Sequence, residues 1–104
     1  MADIPSKQYQ KMRERHPGFI NAVESLGKAV KNEGALDEKT VQLVQLAAAA
    51  TMHSEGAVHS HARRALEAGA EPGEIHHAII LLTSTIGFPN AMAALSWADD
   101  VIES

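Results

Sequence analysis

The stretch from Ile75 to Ile86 constrains this chain more than any other. Ile75, Ala78, Ile79, Ile80, Leu81, Leu82 and Ile86 leave it without a polar face. A helix that is apolar all round belongs in the middle of a core or against a partner chain. With 104 residues, the sequence is long enough for one domain, and so small a bundle encloses few positions completely. Self-association is therefore the expected way to cover the segment, and closed symmetric assemblies are its usual outcome.

The rest of the chain keeps the helical period. Pro5 and Pro17-Gly18 bracket a polar helical stretch, Ser6–His16. Phe19, Ile20, Val23, Leu26, Gly27 and Val30 then form a stripe. Lys31-Asn32-Glu33-Gly34 closes it, with Gly34 expected in the left-handed cap. Asp37 reads as the N-cap of a helix carrying Val41, Leu43, Val44, Leu46 and Ala47–Ala50, with Glu38 in its acid-favouring first turn. A break near Ser54–Gly56 precedes a helix to about Ala68, with Gly69 as its C′ residue and Pro72 opening the next helix ahead of Glu74. Gly87-Phe88-Pro89 ends the apolar stretch. A last helix, Asn90–Glu103, points Ala91, Met92, Ala94, Leu95, Ala98, Val101 and Ile102 inward, with Trp97 at the edge of the stripe. No stretch alternates over a strand's length. The expectation is an all-α subunit of about five to six helices, one domain over 1–104 with an N-terminal helical extension over 1–17.

Composition removes several functions. The chain has no cysteine, which excludes disulfides, iron–sulfur clusters, thiolate zinc sites and thiol redox cycling. Nine Lys and Arg against a formal charge of −4 speak against a nucleic-acid partner. No apolar run approaches the ~20 residues that span a bilayer, and MADIPSKQYQ lacks the basic start and apolar centre of a signal peptide. A cytoplasmic protein, bound to neither membrane nor nucleic acid, is expected.

The densest polar chemistry runs from Thr51 to His61. His59 and His61 look like metal ligands, but residues two apart on a helix point ~200° from each other. His76-His77 have the same defect at ~100°. Neither a metal nor a cofactor is expected, and His53, His59 and His76 read as exposed helix residues. His61 stands apart, four residues from Ala57 and from Ala65, among small core positions. It is either a hydrogen-bonded core histidine or a proton-transfer group. There is no nucleophile elbow, Gly-rich phosphate loop or H-E-x-x-H. Ser54, Ser60 or Ser84 could meet a histidine only through the fold. Arg63-Arg64 with Glu67 look like a solvated face, though an arginine there could bind an anion.

Leu36-Asp37-Glu38-Lys39, Gln42-Leu43-Val44-Gln45-Leu46-Ala47, His61-Ala62-Arg63-Arg64-Ala65-Leu66-Glu67-Ala68-Gly69-Ala70, Glu74-Ile75 and Gly87-Phe88-Pro89-Asn90-Ala91 stand in that order. The pattern resembles the carboxymuconolactone decarboxylase family, which includes the AhpD-type alkylhydroperoxidases, from about Pro17 onward. The resemblance implies an all-helical subunit in a homotrimer or homohexamer. Its peroxidase branch carries C-x-x-C-x-x-x-H after an upstream glutamate. Here those places hold Ser54, Ala57, His61 and Gln42, so thiol-dependent peroxidase activity is not expected. The common E-I-x-E pattern ends here in His77.

The decarboxylase branch, which lacks the cysteines, matches better through His61-Ala62-Arg63 and Gly87-Phe88-Pro89, although its glutamate four residues before the histidine is Ala57 here. It implies cofactor-free removal of a carboxylate from a lactone acid. His61 would then move the proton, with Gln42 and Ser54 beside it. Arg63, Arg64, His77, Gly87 and Pro89 would line the site for a small organic acid. The alternative is a binding or structural oligomer without catalysis.

Overall fold

The computed structural model describes residues 6–104; Pro5, read above as punctuation, lies outside the described residues. Two units emerge by internal contacts, divided between Leu36 and Asp37.

The first unit is a helix pair, α1 (Lys7–Arg15) and α2 (Pro17–Lys31). Ser6 caps α1 by accepting from the Tyr9 N–H at 3.1 Å. Glu24 ties the pair: the Tyr9 hydroxyl donates to its Oε2 at 2.6 Å, and Arg13 pairs with the same carboxylate. These partners, Tyr9 foremost, hold the Glu24 carboxyl below its usual range. Gly34 is not the left-handed cap expected, since among glycines only Gly69 and Gly87 take positive φ. The helix ends instead at Asn32 in the right-handed region, its N–H bonded to the Lys28 carbonyl at 3.1 Å. Phe19, Val23, Leu26 and Val30 remain exposed.

The second unit holds α3 (Glu38–Thr51), α4 (Glu55–Glu67), α5 (Pro72–Ile80), the single turn α6 (Thr83–Ile86) and α7 (Phe88–Ile102). Asp37 caps α3 as expected, its Oδ1 accepting from the Thr40 N–H at 2.8 Å. The α3–α4 corner is closed by two backbone bonds, Ser54 N–H to the Ala49 carbonyl at 3.1 Å and His53 N–H to the Ala50 carbonyl at 3.2 Å. That closure needs a left-handed residue, and His53 supplies it at φ 56°, where glycine is usual. Gly69, at φ 97°, does the same after α4, with buried Ala70 bonded back to Ala65 at 2.9 Å. Pro72 sits in the first turn of α5, and Glu74 accepts from the Glu71 N–H at 2.9 Å.

α4 is the central element. Its Val58, Ala62 and Ala65 are fully buried, in one cluster with Leu46, Ala49 and Ala50 of α3, Ile75 and Ile79 of α5, and Ala91, Ala94 and Ala98 of α7. Alanine at so many contact positions lets the helices approach closely, which is how so short a chain closes a core. The fold is all-α, with no strand among the described residues.

Three expectations are corrected here. Ile75–Ile86 is not one helix: α5 stops at Ile80 and the chain turns through Leu81-Leu82. The Leu82 N–H bonds the Ile79 carbonyl at 2.9 Å, and the Thr83 hydroxyl takes the Ile80 carbonyl at 2.8 Å, so the carbonyls of the last turn are satisfied locally. α7 begins at Phe88 rather than Asn90, because Pro89 suits the first turn of a helix. Met92, expected inward, is 48% exposed, since the buried side of α7 follows Ala91, Ala94 and Ala98.

Gly87 joins α6 to α7 at φ 90°, ψ 154°, a region essentially closed to residues with a Cβ. A Cβ built there would meet only Pro89 Cδ, at 3.9 Å, so the penalty of a side chain is backbone strain alone. Gly87→Ala should lower the unfolding free energy by about 1–3 kcal/mol, measured by urea denaturation.

Candidate functional site

α3 and α4 lie side by side, and across them His61 meets Gln42. The imidazole Nδ1 lies 2.9 Å from Gln42 Oε1. Gln42 is fully buried and His61 half-buried. One turn earlier on α3, Glu38 Oε1 accepts from Gln42 Nε2 at 3.0 Å. This second bond orients the amide: with its NH2 group turned to Glu38, its oxygen faces the imidazole and can only accept. The His61 proton therefore resides on Nδ1, and in the neutral ring Nε2 is the basic nitrogen. The result is a carboxylate–amide–imidazole chain. Glu38 thus fixes the amide, and the amide fixes the orientation of the ring.

Glu38 was legible only as a helix-start acid. The signal for its larger role was its spacing, since residues four apart on a helix are neighbours. A second residue missed is Gln45, three positions after Gln42. Its Oε1 is buried with no hydrogen-bond partner, an acceptor that a donor from water or ligand would satisfy.

The other expected residues are spread through the second unit. Ser54 is the N-cap of α4, its hydroxyl oxygen accepting from the Ala57 N–H at 3.4 Å. Arg63 and Arg64 follow His61 on α4, both half-buried. Arg64 is three positions on and shares the neighbouring face; Arg63, two positions on, is turned about 200° away. Gly87 and Pro89 form the α6–α7 corner. His77 is exposed and lines a groove of about 390 Å3 between α3 and α5, with Thr40, Leu43, Val44, Glu74 and Leu81 among its walls. His61 is not among the residues lining it.

The groove rim carries the Lys39–Glu74 ion pair, 3.0 Å long, which ties α3 to α5. The Glu71 backbone N–H, and then Lys39, hold the Glu74 carboxyl below its usual range. A depressed carboxyl stabilises the fold above its unfolded pKa and stops doing so as pH falls through its folded value. Removing this group as Glu74→Gln should therefore flatten the loss of stability on acidification below the usual carboxylate range, read as melting temperature against pH.

His59 and His76 depart from the exposed positions expected for them. Both are half-buried and engaged: His59 Nε2 lies 3.0 Å from Asp100 Oδ2, and His76 Nε2 lies 2.6 Å from Asp99 Oδ1. Adjacent residues on a helix diverge by ~100°, so Asp99 and Asp100 of α7 reach α5 and α4 respectively. His53 is exposed, as expected, but sits at the cap rather than in a helix, its ring edge-on to Trp97 with centroids 6.1 Å apart.

An all-helical chain whose central helix presents a hydrogen-bonded histidine to its neighbour defines the class. The comparisons define the family. The model of the carboxymuconolactone decarboxylase family matches residues 17–100, and the chain belongs to that family. Among solved structures, the fold is similar to a carboxymuconolactone decarboxylase family protein from Legionella pneumophila, with a TM-score of 0.81 and 26% identity over 92% of this chain and 86% of that one. An uncharacterized protein of Methanocaldococcus jannaschii is 32% identical over 92 residues, 88% of this chain and 86% of its own. An uncharacterized protein of Haemophilus influenzae is 32% identical over 59 residues, 57% of this chain and 52% of its own.

Proposed function

We propose that the protein is a cofactor-free lyase of the decarboxylase type, acting in the cytoplasm on a small organic acid of the lactone class with His61 as its proton-transfer group. The observation that carries this reading is the Glu38–Gln42–His61 chain. In such a reaction the carboxylate sits on a ring carbon α to the lactone carbonyl or joined to it through a C=C bond; the bond to that carbon breaks, carbon dioxide leaves, and the electron pair passes into the carbonyl as an enolate. A proton must then reach carbon. His61, protonated on both nitrogens, delivers it from Nε2 while Nδ1–H stays on Gln42 Oε1. Arg64 is the better placed of the two arginines to receive a carboxylate near His61.

The test is carbon dioxide release from a panel of γ-lactone carboxylic acids. Release by the native chain and not by His61→Asn supports the reading. Saturable binding of a lactone acid with no release favours the alternative, a non-catalytic binding protein.

We also infer a homo-oligomer, a trimer or hexamer. Its support is apolar surface left open on the chain: Val44 at 55% and Leu81 at 64% exposure line one groove, and contiguous open apolar surface marks a contact site. Sedimentation equilibrium should give three or six chains per particle. A stable monomer at micromolar concentration would refute this.

A further inference from the structure

A second cluster lies apart from the His61 chain, between α4 and α7. Glu55 and His59 stand four residues apart on α4, so they share a face. Asp100 of α7 reaches that face and meets His59 at 3.0 Å. One ligand-type atom from each of Glu55, His59 and Asp100 lies within 4.8 Å of the other two. We propose that these three side chains bind a divalent first-row transition ion, best matched by zinc, which would clamp α4 to α7.

The argument rests on donors, spacing and charge. Zinc takes both imidazole nitrogen and carboxylate oxygen as ligands, and three protein ligands leave its remaining positions to solvent. Ligands held ~2.0–2.2 Å from an ion lie roughly 3–3.5 Å from each other. The His59–Asp100 pair already has that separation, and Glu55, at the flexible end of its side chain, has only a short distance to close. Two carboxylates this close repel each other, and a cation between them removes that repulsion. The ligands also stand on firm supports. Glu55 and His59 belong to the central helix, and the aspartate beside Asp100 is held by His76 at 2.6 Å, which sets the rotation of α7 that aims Asp100 at α4. The sequence conceals the set because Glu55 and Asp100 are 45 positions apart. The histidine pairs conspicuous in the sequence, His59/His61 and His76/His77, do not form it.

The test uses the full chain freed of metal by a chelator and titrated with zinc by calorimetry, then with cobalt(II) followed by visible absorption. One equivalent per chain is expected, with a cobalt spectrum of low coordination number and a zinc-dependent rise in melting temperature. Glu55→Gln and Asp100→Asn should each weaken zinc at least tenfold and abolish the thermal shift. Circular dichroism of both variants confirms that the helices persist. His77→Asn, a histidine outside the set, should leave affinity unchanged. Zinc binding equally tight in Glu55→Gln and Asp100→Asn, or none below 100 μM in the native chain (a range set by ~5.5 kcal/mol of binding free energy), would overturn the proposal.

Discussion

His61→Asn should keep the native fold yet lose about 10²–10⁴-fold in turnover of the proposed reaction, the usual contribution of a positioned acid–base group. Asparagine can still hydrogen-bond toward Gln42 Oε1, so the buried amide, fully enclosed in α3, is not left without a partner. It cannot carry a titrating proton. The same variant thus separates chemistry from packing: a structural histidine would show a lower melting temperature with turnover intact. Glu38→Gln supplies an independent measurement. It keeps a hydrogen-bond acceptor for Gln42 Nε2, now 3.0 Å from the carboxylate, but its own amide can turn and offer a donor instead. Turnover should fall with the melting temperature little changed, because Gln42 is then no longer fixed with its oxygen toward His61. Unchanged turnover would show that Glu38 does not orient the amide.

Ile79→Ala should destabilise the fold by about 2–5 kcal/mol, the usual result of emptying a large aliphatic site in a core. Ile79 is fully buried and lies in one cluster with Val58, Ala62 and Ala94. Most of that cluster is alanine, which has little side chain with which to refill the space. Ile80→Ala, one position along, should change the stability of the subunit by no more than about 0.5 kcal/mol, since Ile80 is 52% exposed. Urea denaturation of both variants at two protein concentrations checks the contrast. A large, concentration-dependent effect of Ile80→Ala would place that residue in the contact between subunits.

The helical class, most of the breaks and several caps were legible in residue order, because they depend on neighbours within a few positions. Asp37 as an N-cap, the break at Ser54, Gly69 in the left-handed cap and Pro72 in the first turn of α5 all follow from local chemistry. The same locality misled at Gly34, where Asn32 ends the helix in ordinary right-handed geometry, and at Leu81, where hydrogen bonds to the preceding turn end α5 inside an apolar run.

His61 and Gln42 could be paired from the sequence through the family pattern and the polarity of the amide. Glu38 as the third member, the orphaned oxygen of Gln45 and the Glu55–His59–Asp100 cluster could not. Helical periodicity assigns residues to a face but says nothing of which helix that face meets. The meeting of α4 with α3 on one side and α7 on the other is set by the packing of Val58, Ala62 and Ala65 against alanines far away in the chain. Only that packing makes neighbours of groups separated by tens of residues, and it also decides that Ile79 is enclosed while Ile80 is left in the open.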